Sequence, residues 1–266
     1  MEQSFLIFAA YLALGACSGL LAGLLGVGGG LIIVPALNFL FTLQGFSDQH
    51  LMHLSLGTSL ATILFTALFS IRAHHAHDAI LWPIFKRLTP GILIGALLGA
   101  AIADSFSNQA LRYSFAAFTL VVAMQIFFDT KTYAHRSLPN TAGMTACAGS
   151  IGLISAIFGI GGGTLSTPFL LWNGIKLPRA IATSAACGLP IAIAGAGGYM
   201  LSGLNETLLP HYTTGYIYWP AVAGIIATSL ITVPIGARLT HTLPTAILKK
   251  VLAVLLIFSA IHLISA

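Results

Sequence analysis

The sequence predicts an all-α polytopic membrane protein made of two inverted repeats, each with about five apolar segments. Three observations predict this fold class: the composition, the recurrence of long apolar segments, and a glycine-rich motif that occurs twice. Of the 266 residues, 57% are hydrophobic and only 6% are charged, whereas soluble domains carry about 25% charged residues. Because a water-soluble fold cannot bury so much apolar surface, we expect residues 1–266 to form a single membrane domain.

Apolar segments follow one another along the whole chain in two sets of five. The second segment of each set contains only about 10 to 13 residues, which a helix extends over about 15 to 20 Å. The hydrocarbon layer is about 30 Å thick, so we expect these two short segments to be broken or re-entrant helices. The segments are residues 5–27, 31–43, 51–71, 83–103 and 109–128, then 143–160, 164–173, 180–201, 215–236 and 245–264.

The two sets are related in sequence. The stretch 19–30 reads GLLAGLLGVGGG and is followed by Pro35, and the stretch 152–163 reads GLISAIFGIGGG and is followed by Pro168, at a constant offset. The pair Thr58-Ser59 in the third segment also matches Thr183-Ser184 in the eighth. We therefore expect an internal duplication, with a first repeat over 1–130 and a second over 141–266.

The distribution of charge predicts the orientation, because cytoplasmic loops of membrane proteins are rich in Lys and Arg. All Lys and Arg residues except Arg112 fall on one side of the predicted topology, which should be cytoplasmic. Both termini should then be periplasmic. An odd number of segments per repeat inverts the second half relative to the first, an arrangement that secondary transporters use for alternating access around a site near the midplane.

The glycine runs are the first candidate for a binding site. They lie inside apolar segments with no βαβ context, which excludes a dinucleotide-binding fingerprint. Glycine runs weaken helices, and irregular backbone inside a membrane is tolerated where it is buried in protein or lines a cavity. We expect breaks there, with new helices starting near Leu31 and Thr164 and with the helix-break residues Pro35 and Pro168 close behind. Close helix packing through small residues is the alternative.

Helix N-termini present free amides and a positive dipole end, so two of them aimed at one region would bind an anion. Hydroxyls near the breaks would add donors, with Ser166 and Thr167 as further donors in the second half. Alternatively, these hydroxyls bond carbonyls of their own helices. The predicted substrate-binding residues are Gly28, Gly29, Gly30, Thr58, Ser59, Gly161, Gly162, Gly163, Thr164, Thr183 and Ser184.

Other chemistry is weakly represented. His74, His75 and His77 form a cluster that would suit a transition metal, but it falls in a predicted cytoplasmic loop, where a solvated connector is the competing interpretation. Scattered basic residues argue against nucleic acid, and no zinc-protease, nucleophile-elbow or Walker motif is present. We therefore expect no enzyme activity, no cofactor and no resident metal. Small residues occur on every helix, so no dimer surface stands out.

The repeated G-x-G-G-G followed by proline, the Thr-Ser pair and the two-half apolar layout resemble the sulfite exporter TauE/SafE family over essentially the whole chain. The resemblance implies a permease of the bacterial cytoplasmic membrane that exports sulfite or an organosulfonate such as sulfoacetate. The hydroxyls of Thr164, Ser166 and Thr167 have apolar counterparts in the first half, so such a site would be chemically asymmetric.

The leading hypothesis is therefore an anion permease that works by alternating access, with a small anion and the lipid bilayer as its partners. Two alternatives stay open. The first is a transition-metal permease that uses His74, His75 and His77. The second is a membrane protein of sulfur metabolism that does not transport.

Overall fold

The computed structural model describes residues 2–25, 29–128, 138–239 and 245–265, and these form ten α-helices. The first five are α1 (Glu2–Leu25), α2 (Gly30–Leu43), α3 (Leu51–His75), α4 (Trp82–Asp104) and α5 (Asn108–Phe127). The second five are α6 (Thr141–Ile157), α7 (Gly163–Trp172), α8 (Leu177–Ser202), α9 (Trp219–Leu239) and α10 (Thr245–Ser265). The helices reproduce the ten apolar segments expected from the sequence.

Six of the described helices are long and apolar enough to cross a membrane: α1, α3, α4, α5, α8 and α9. Their outward surfaces carry many exposed large hydrophobic side chains, including Phe5, Ile94, Val121, Leu201 and Ile231, which is unusual for a water-soluble protein. An all-α polytopic membrane fold is therefore confirmed.

The two short helices are close to the predicted lengths of about 10 to 13 residues. Helix α2 has 14 residues and α7 has 10, so they extend over about 21 Å and about 15 Å. Both lie against longer helices, α2 on α3 and α7 on α8. Each short helix is therefore supported by the helix that follows it in the chain.

Close backbone packing joins the two halves. Gly91, Gly95 and Gly99 recur every fourth residue on one face of α4, and a Cβ atom at any of them would collide with a backbone carbonyl oxygen of α6. Gly15 and Gly19 bring α1 equally close to α9. Small residues at this spacing let membrane helices approach closely enough for extensive van der Waals contact. At the centre, α3 packs along α8.

One element was not expected from the sequence. The connection between α8 and α9 folds into a two-stranded antiparallel hairpin, with β1 (Thr213–Thr214) pairing with β2 (Ile217–Tyr218). Its turn places Tyr216, which is 2% exposed, against the end of α8, where its amide donates to the carbonyl of Tyr199. Gly215 has φ +54° and leaves no room for a Cβ atom against Met200, so the turn requires glycine.

Candidate substrate site at the glycine breaks

The second glycine run interrupts the chain between α6 and α7 in a defined way. The amide of Gly159 donates to the carbonyl of Ala156 at 3.2 Å, and the amide of Ile160 donates to that of Ser155 at 2.9 Å. Gly159 itself has φ +60°. This pair of bonds around a left-handed glycine is a Schellman motif, which ends a helix and satisfies its last carbonyls. Helix α7 then begins at Gly163.

Ser59 of α3 holds this break in place. Its Oγ donates to the carbonyl oxygen of Gly159 at 2.8 Å, and the bond is fully buried. A Cβ atom at Gly159 would also lie 3.0 to 3.1 Å from Leu56 and Val34. Gly159 is therefore fixed by its backbone conformation and by its neighbours, although it was not among the predicted site residues. Its place as the first glycine of the repeated motif was the signal that could have identified it.

The last residue of the first glycine run lies against the second run. A Cβ atom on Gly30 would lie 2.5 Å from the carbonyl oxygen of Gly159 and 2.8 Å from the Cα of Ile160. Gly30 is the first residue of α2, whose first amide bonds run from Ile32 and Ile33 to the carbonyl of Gly29. The N-terminus of α2 thus lies directly against the second break, as expected if both breaks serve one region. Gly28 lies outside the described residues.

The N-terminus of α7 packs onto the backbone of α8. Gly161, Gly162 and Gly163 are buried, and a Cβ atom on Gly162 would collide with the Ser184 carbonyl oxygen and lie 2.7 Å from the Gly188 nitrogen. Gly162 therefore has the close-packing role that was weighed as the alternative, in addition to standing at a helix start.

The hydroxyls around α7 fall into two groups. Thr167 and Ser184 share a hydrogen bond of 2.6 Å, and Ser184 also bonds the Ile181 carbonyl three residues back at 3.0 Å. Ser166 differs, because its Oγ is fully buried and has no hydrogen-bond partner within the part of the chain that the structure describes. Buried polar atoms without partners are rare and call for an explanation. Thr164 lies half-buried in the first turn.

Thr58 and Thr183 have equivalent structural roles in the two halves. The Thr58 Oγ1 accepts the amide of Tyr218 at 3.0 Å, and the Thr183 Oγ1 accepts the amide of Leu81 at 3.0 Å. Each amide belongs to the residue directly before a Trp-Pro pair that opens a helix, α9 or α4. Both threonines are fully buried. They therefore secure helix starts on neighbouring segments, a role that the Thr-Ser repeat did not reveal.

Pro35 and Pro168 are each the sixth residue of their helices, and both helices continue past them. The interruptions therefore lie at the glycine runs, and the prolines follow the breaks without producing them. A proline removes one intrahelical bond, here the bond that would join residues 35 and 31 in α2 and residues 168 and 164 in α7.

The histidine cluster adopts no metal-binding arrangement. Helix α3 ends at His75, and His75 and His77 are exposed. Within residues 2–25, 29–128, 138–239 and 245–265, no group of three His, Cys, Asp or Glu side chains is placed to hold a metal ion. The transition-metal alternative thus gains no geometric support from these residues.

Comparison with known proteins agrees with this architecture. A Haemophilus influenzae protein described as a probable membrane transporter protein is 37% identical over 253 residues, covering 95% of this chain and 96% of that protein. The probable membrane transporter protein YunE of Bacillus subtilis is 24% identical, with 97% of each chain covered. The probable membrane transporter protein MJ0441 of Methanocaldococcus jannaschii is 26% identical, covering 87% and 85%. No solved structure matches the chain.

The family described as sulfite exporter TauE/SafE matches residues 11–263, which includes both glycine runs and nine of the ten helices completely or nearly so. Together with the relatives, this makes the protein a multi-pass membrane permease embedded in a lipid bilayer, and it points away from an enzyme. The chain belongs to the sulfite exporter TauE/SafE family.

Proposed function

We propose that this permease exports a small anion, sulfite or an organosulfonate such as sulfoacetate, across the bacterial cytoplasmic membrane. The anion binds between the glycine breaks, where the N-termini of α2 and α7 offer amides and positive dipole ends. The contact between Gly30 and the Gly159 carbonyl is the observation that carries this proposal, because it joins the start of one short helix to the break that precedes the other.

A second observation supports an anion in this place. The Ser166 Oγ is buried one turn after the Gly162 cap, and it lacks a partner among the described residues. A hydroxyl left unpaired in a protein interior costs about 1 to 3 kcal/mol. An anion bound beside the α7 N-terminus would accept its hydrogen and remove that cost. No Lys or Arg is required, so the site would hold charge with dipoles and hydroxyls.

Alternating access is supported by the way the two halves pack. If α6 to α10 repeat α1 to α5, each contact between the halves should have an equivalent in which the two halves are exchanged. The equivalent of the α4–α6 contact is α9–α1, and the equivalent of the α4–α8 contact is α9–α3. Both members of each pair are present. We therefore propose that 1–130 and 141–266 are inverted repeats around a pseudo-twofold axis, with both termini periplasmic.

The membrane potential favours export of an anion. Moving one elementary charge through the potential changes its free energy by about 2.3 kcal/mol per 100 mV. Because the cell interior is negative, an anion that leaves the cell releases this energy.

The test is ligand-dependent thermal stability of the purified protein. Sulfite, sulfoacetate, taurine, sulfate, chloride, nickel and zinc are compared for wild type, Ser166→Ala and Ser150→Ala. Ser150 is the matched control, since its exposed hydroxyl bonds only the Ala146 carbonyl of its own helix. A ligand present at about a hundred times its dissociation constant stabilises the folded state by about 2.7 kcal/mol.

Stabilisation by sulfite or a sulfonate that is reduced in Ser166→Ala and kept in Ser150→Ala supports the proposal and leads to flux assays in vesicles. Stabilisation by nickel or zinc alone, lost when His74, His75 and His77 are replaced, would support the transition-metal permease instead. Turnover of a sulfur compound in detergent, without two compartments, would support the non-transport alternative.

A further inference from the structure

A cavity of about 560 Å³ opens at one end of the helix bundle, away from the glycine breaks. It is formed where the α2–α3 connection, the α4–α5 connection and the α8–α9 connection meet. Its titratable lining residues are Asp48, His50, His53, Asp104, Glu206 and Tyr216, and no Lys or Arg lines it. We call it the acidic cavity. It lies on the face that the charge distribution predicts to be periplasmic.

His53, in the first turn of α3, lines this cavity and has one ring nitrogen that makes no hydrogen bond with the described residues. The side chain is 3% exposed, and its Nε2 lies 3.1 Å from the carbonyl oxygen of Ala103. A carbonyl oxygen only accepts hydrogen bonds, so Nε2 carries the hydrogen and Nδ1 holds a lone pair. That Nδ1 is buried and has no partner among the residues that the structure describes.

The groups around His53 are a second imidazole, a phenol and carboxylates. The ring of His53 lies 5.8 Å from that of His50 and 5.0 Å from that of Tyr216, measured between centroids. The His50 Nε2 lies 3.2 Å from a Glu206 carboxylate oxygen, and its Nδ1 lies 3.4 Å from the Tyr216 hydroxyl. Asp104 ends α4 one residue after the carbonyl that His53 contacts.

Three further groups lie near the cavity: Asp48, Arg112 and Tyr216. Asp48 reaches the cavity from the α2–α3 connection. On α5, Arg112 stands 5.8 Å from the ring centre of Tyr113 and is not a lining residue. Burial, together with the carboxylates of Asp104 and Glu206, raises the pKa of Tyr216, so its phenol stays neutral. The only negative groups lining the cavity are thus carboxylates.

We infer that the acidic cavity is a proton-binding site in which the Nδ1 atom of His53 accepts the proton. A buried nitrogen with a lone pair, in a cavity that three carboxylates line, has the chemistry of a proton acceptor. A metal ion fits less well, because no three ligating side chains in the described ranges converge on one point. One consequence rests on the proposed function: a proton on His53 offsets part of the repulsion between the exported anion and the carboxylates of the acidic cavity.

The experiment follows the histidine side chains by NMR in detergent, with isotope-labelled histidine and pH varied over about 5 to 8, the range in which imidazole titrates. His53→Gln assigns the signal, and its amide can still donate to the Ala103 carbonyl while it removes the titratable nitrogen. Asp104→Asn is the second variant, because it keeps His53 and removes a facing charge. Exposed His211, which does not line the cavity, is the internal control.

The expected result is a His53 signal that titrates, with a proton dissociation constant that increases several-fold in Asp104→Asn, while that of His211 is unchanged. A His53 signal that is constant over the range, or one indifferent to Asp104→Asn, overturns the inference. If His53→Gln does not fold, substitution of the other histidines assigns the His53 signal by elimination. The effect of Asp104→Asn on that signal then tests the inference.

A flux assay tests the consequence separately. Anion flux through oriented vesicles should increase when the face with the acidic cavity is acidified, and this increase should be smaller in His53→Gln than in His211→Gln. The NMR titration uses no substrate, so the two results are independent. If His53 titrates but no anion flux is seen, the proposed function is contradicted and the proton site is still supported.

Discussion

Replacing Thr58 or Thr183 by valine tests whether these residues secure helix starts. Valine keeps the branched shape of threonine but removes the oxygen that accepts the amide of Tyr218 or Leu81, each at 3.0 Å. Both threonines are fully buried, so water cannot replace the lost acceptor. An amide left unpaired in a protein interior costs about 1 to 3 kcal/mol, and this is the destabilisation we expect for each variant.

The start of helix α4 shows why loss of this hydrogen bond should destabilise the protein. Its N-cap residue is Leu81, which has no side-chain oxygen to cap the helix, and Trp82 and Pro83 follow it. The oxygen of Thr183, which lies on α8, accepts the amide of this N-cap residue, the bond that Glu or Gln makes in a capping box at other helix starts. Thr58 supplies the same bond to the residue before α9 from its place on α3.

The assay is thermal unfolding in detergent, with Thr89→Val as the matched control. Thr89 is half-buried and bonds only the Phe85 carbonyl of its own helix at 2.8 Å. For a chain of this size, 1 kcal/mol changes the midpoint by about 2 to 4 °C, so Thr58→Val and Thr183→Val should fall by at least that much while Thr89→Val changes little. Three variants with the same midpoint would refute the reasoning. If a bound anion raises the midpoint of Thr58→Val by less than it raises that of wild type, Thr58 has a role in binding as well.

Three further predictions follow from the same packing. Gly162→Ala forces a Cβ atom onto backbone and should destabilise by about 1 to 3 kcal/mol, whereas Gly197→Ala, with no atom within 4 Å of the new Cβ, should be neutral or stabilising on thermal unfolding. Ser59→Ala removes the bond to Gly159 and should lower both the unfolding midpoint and anion flux, while a variant with normal flux would exclude a role for that bond in transport. The pKa of Tyr216 is raised above 10.0 in the folded protein, so the fold favours the neutral phenol. The stability that Tyr216 contributes is therefore complete below pH 10.0 and is lost as the pH rises above it. The unfolding midpoint of Tyr216→Phe should accordingly decline less at alkaline pH than that of wild type.

Much of the fold was predictable because the membrane allows few solutions. Backbone groups in lipid must be satisfied within the segment, so each apolar run had to be a helix, and the ten runs gave the ten helices with ends within a few residues. The short helices after the glycine runs followed from helix chemistry alone, as the start of α2 at Gly30 and of α7 at Gly163 shows.

The site was less predictable, because its contacts join residues far apart in the chain. Ser59 and Gly159 both belong to motifs that the sequence repeats. No sequence pattern, however, showed that they bond to each other across 100 residues. The hairpin that carries Tyr216 has only two residues in each strand, too few for a periodic pattern to be visible. Its existence depends on the close approach of Gly203 and Gly215 to neighbouring backbone.

By itself, then, the sequence determined that this protein is a helical membrane permease, and it predicted two related halves with paired glycine breaks, since composition, helix length and repetition can be read without the tertiary structure. Only the tertiary structure decided that Gly30 meets Gly159, that Thr58 and Thr183 hold the starts of α9 and α4, and that His53 lines one cavity with three carboxylates. Those outcomes depend on how helices distant in sequence pack side by side, and no local pattern encodes that geometry.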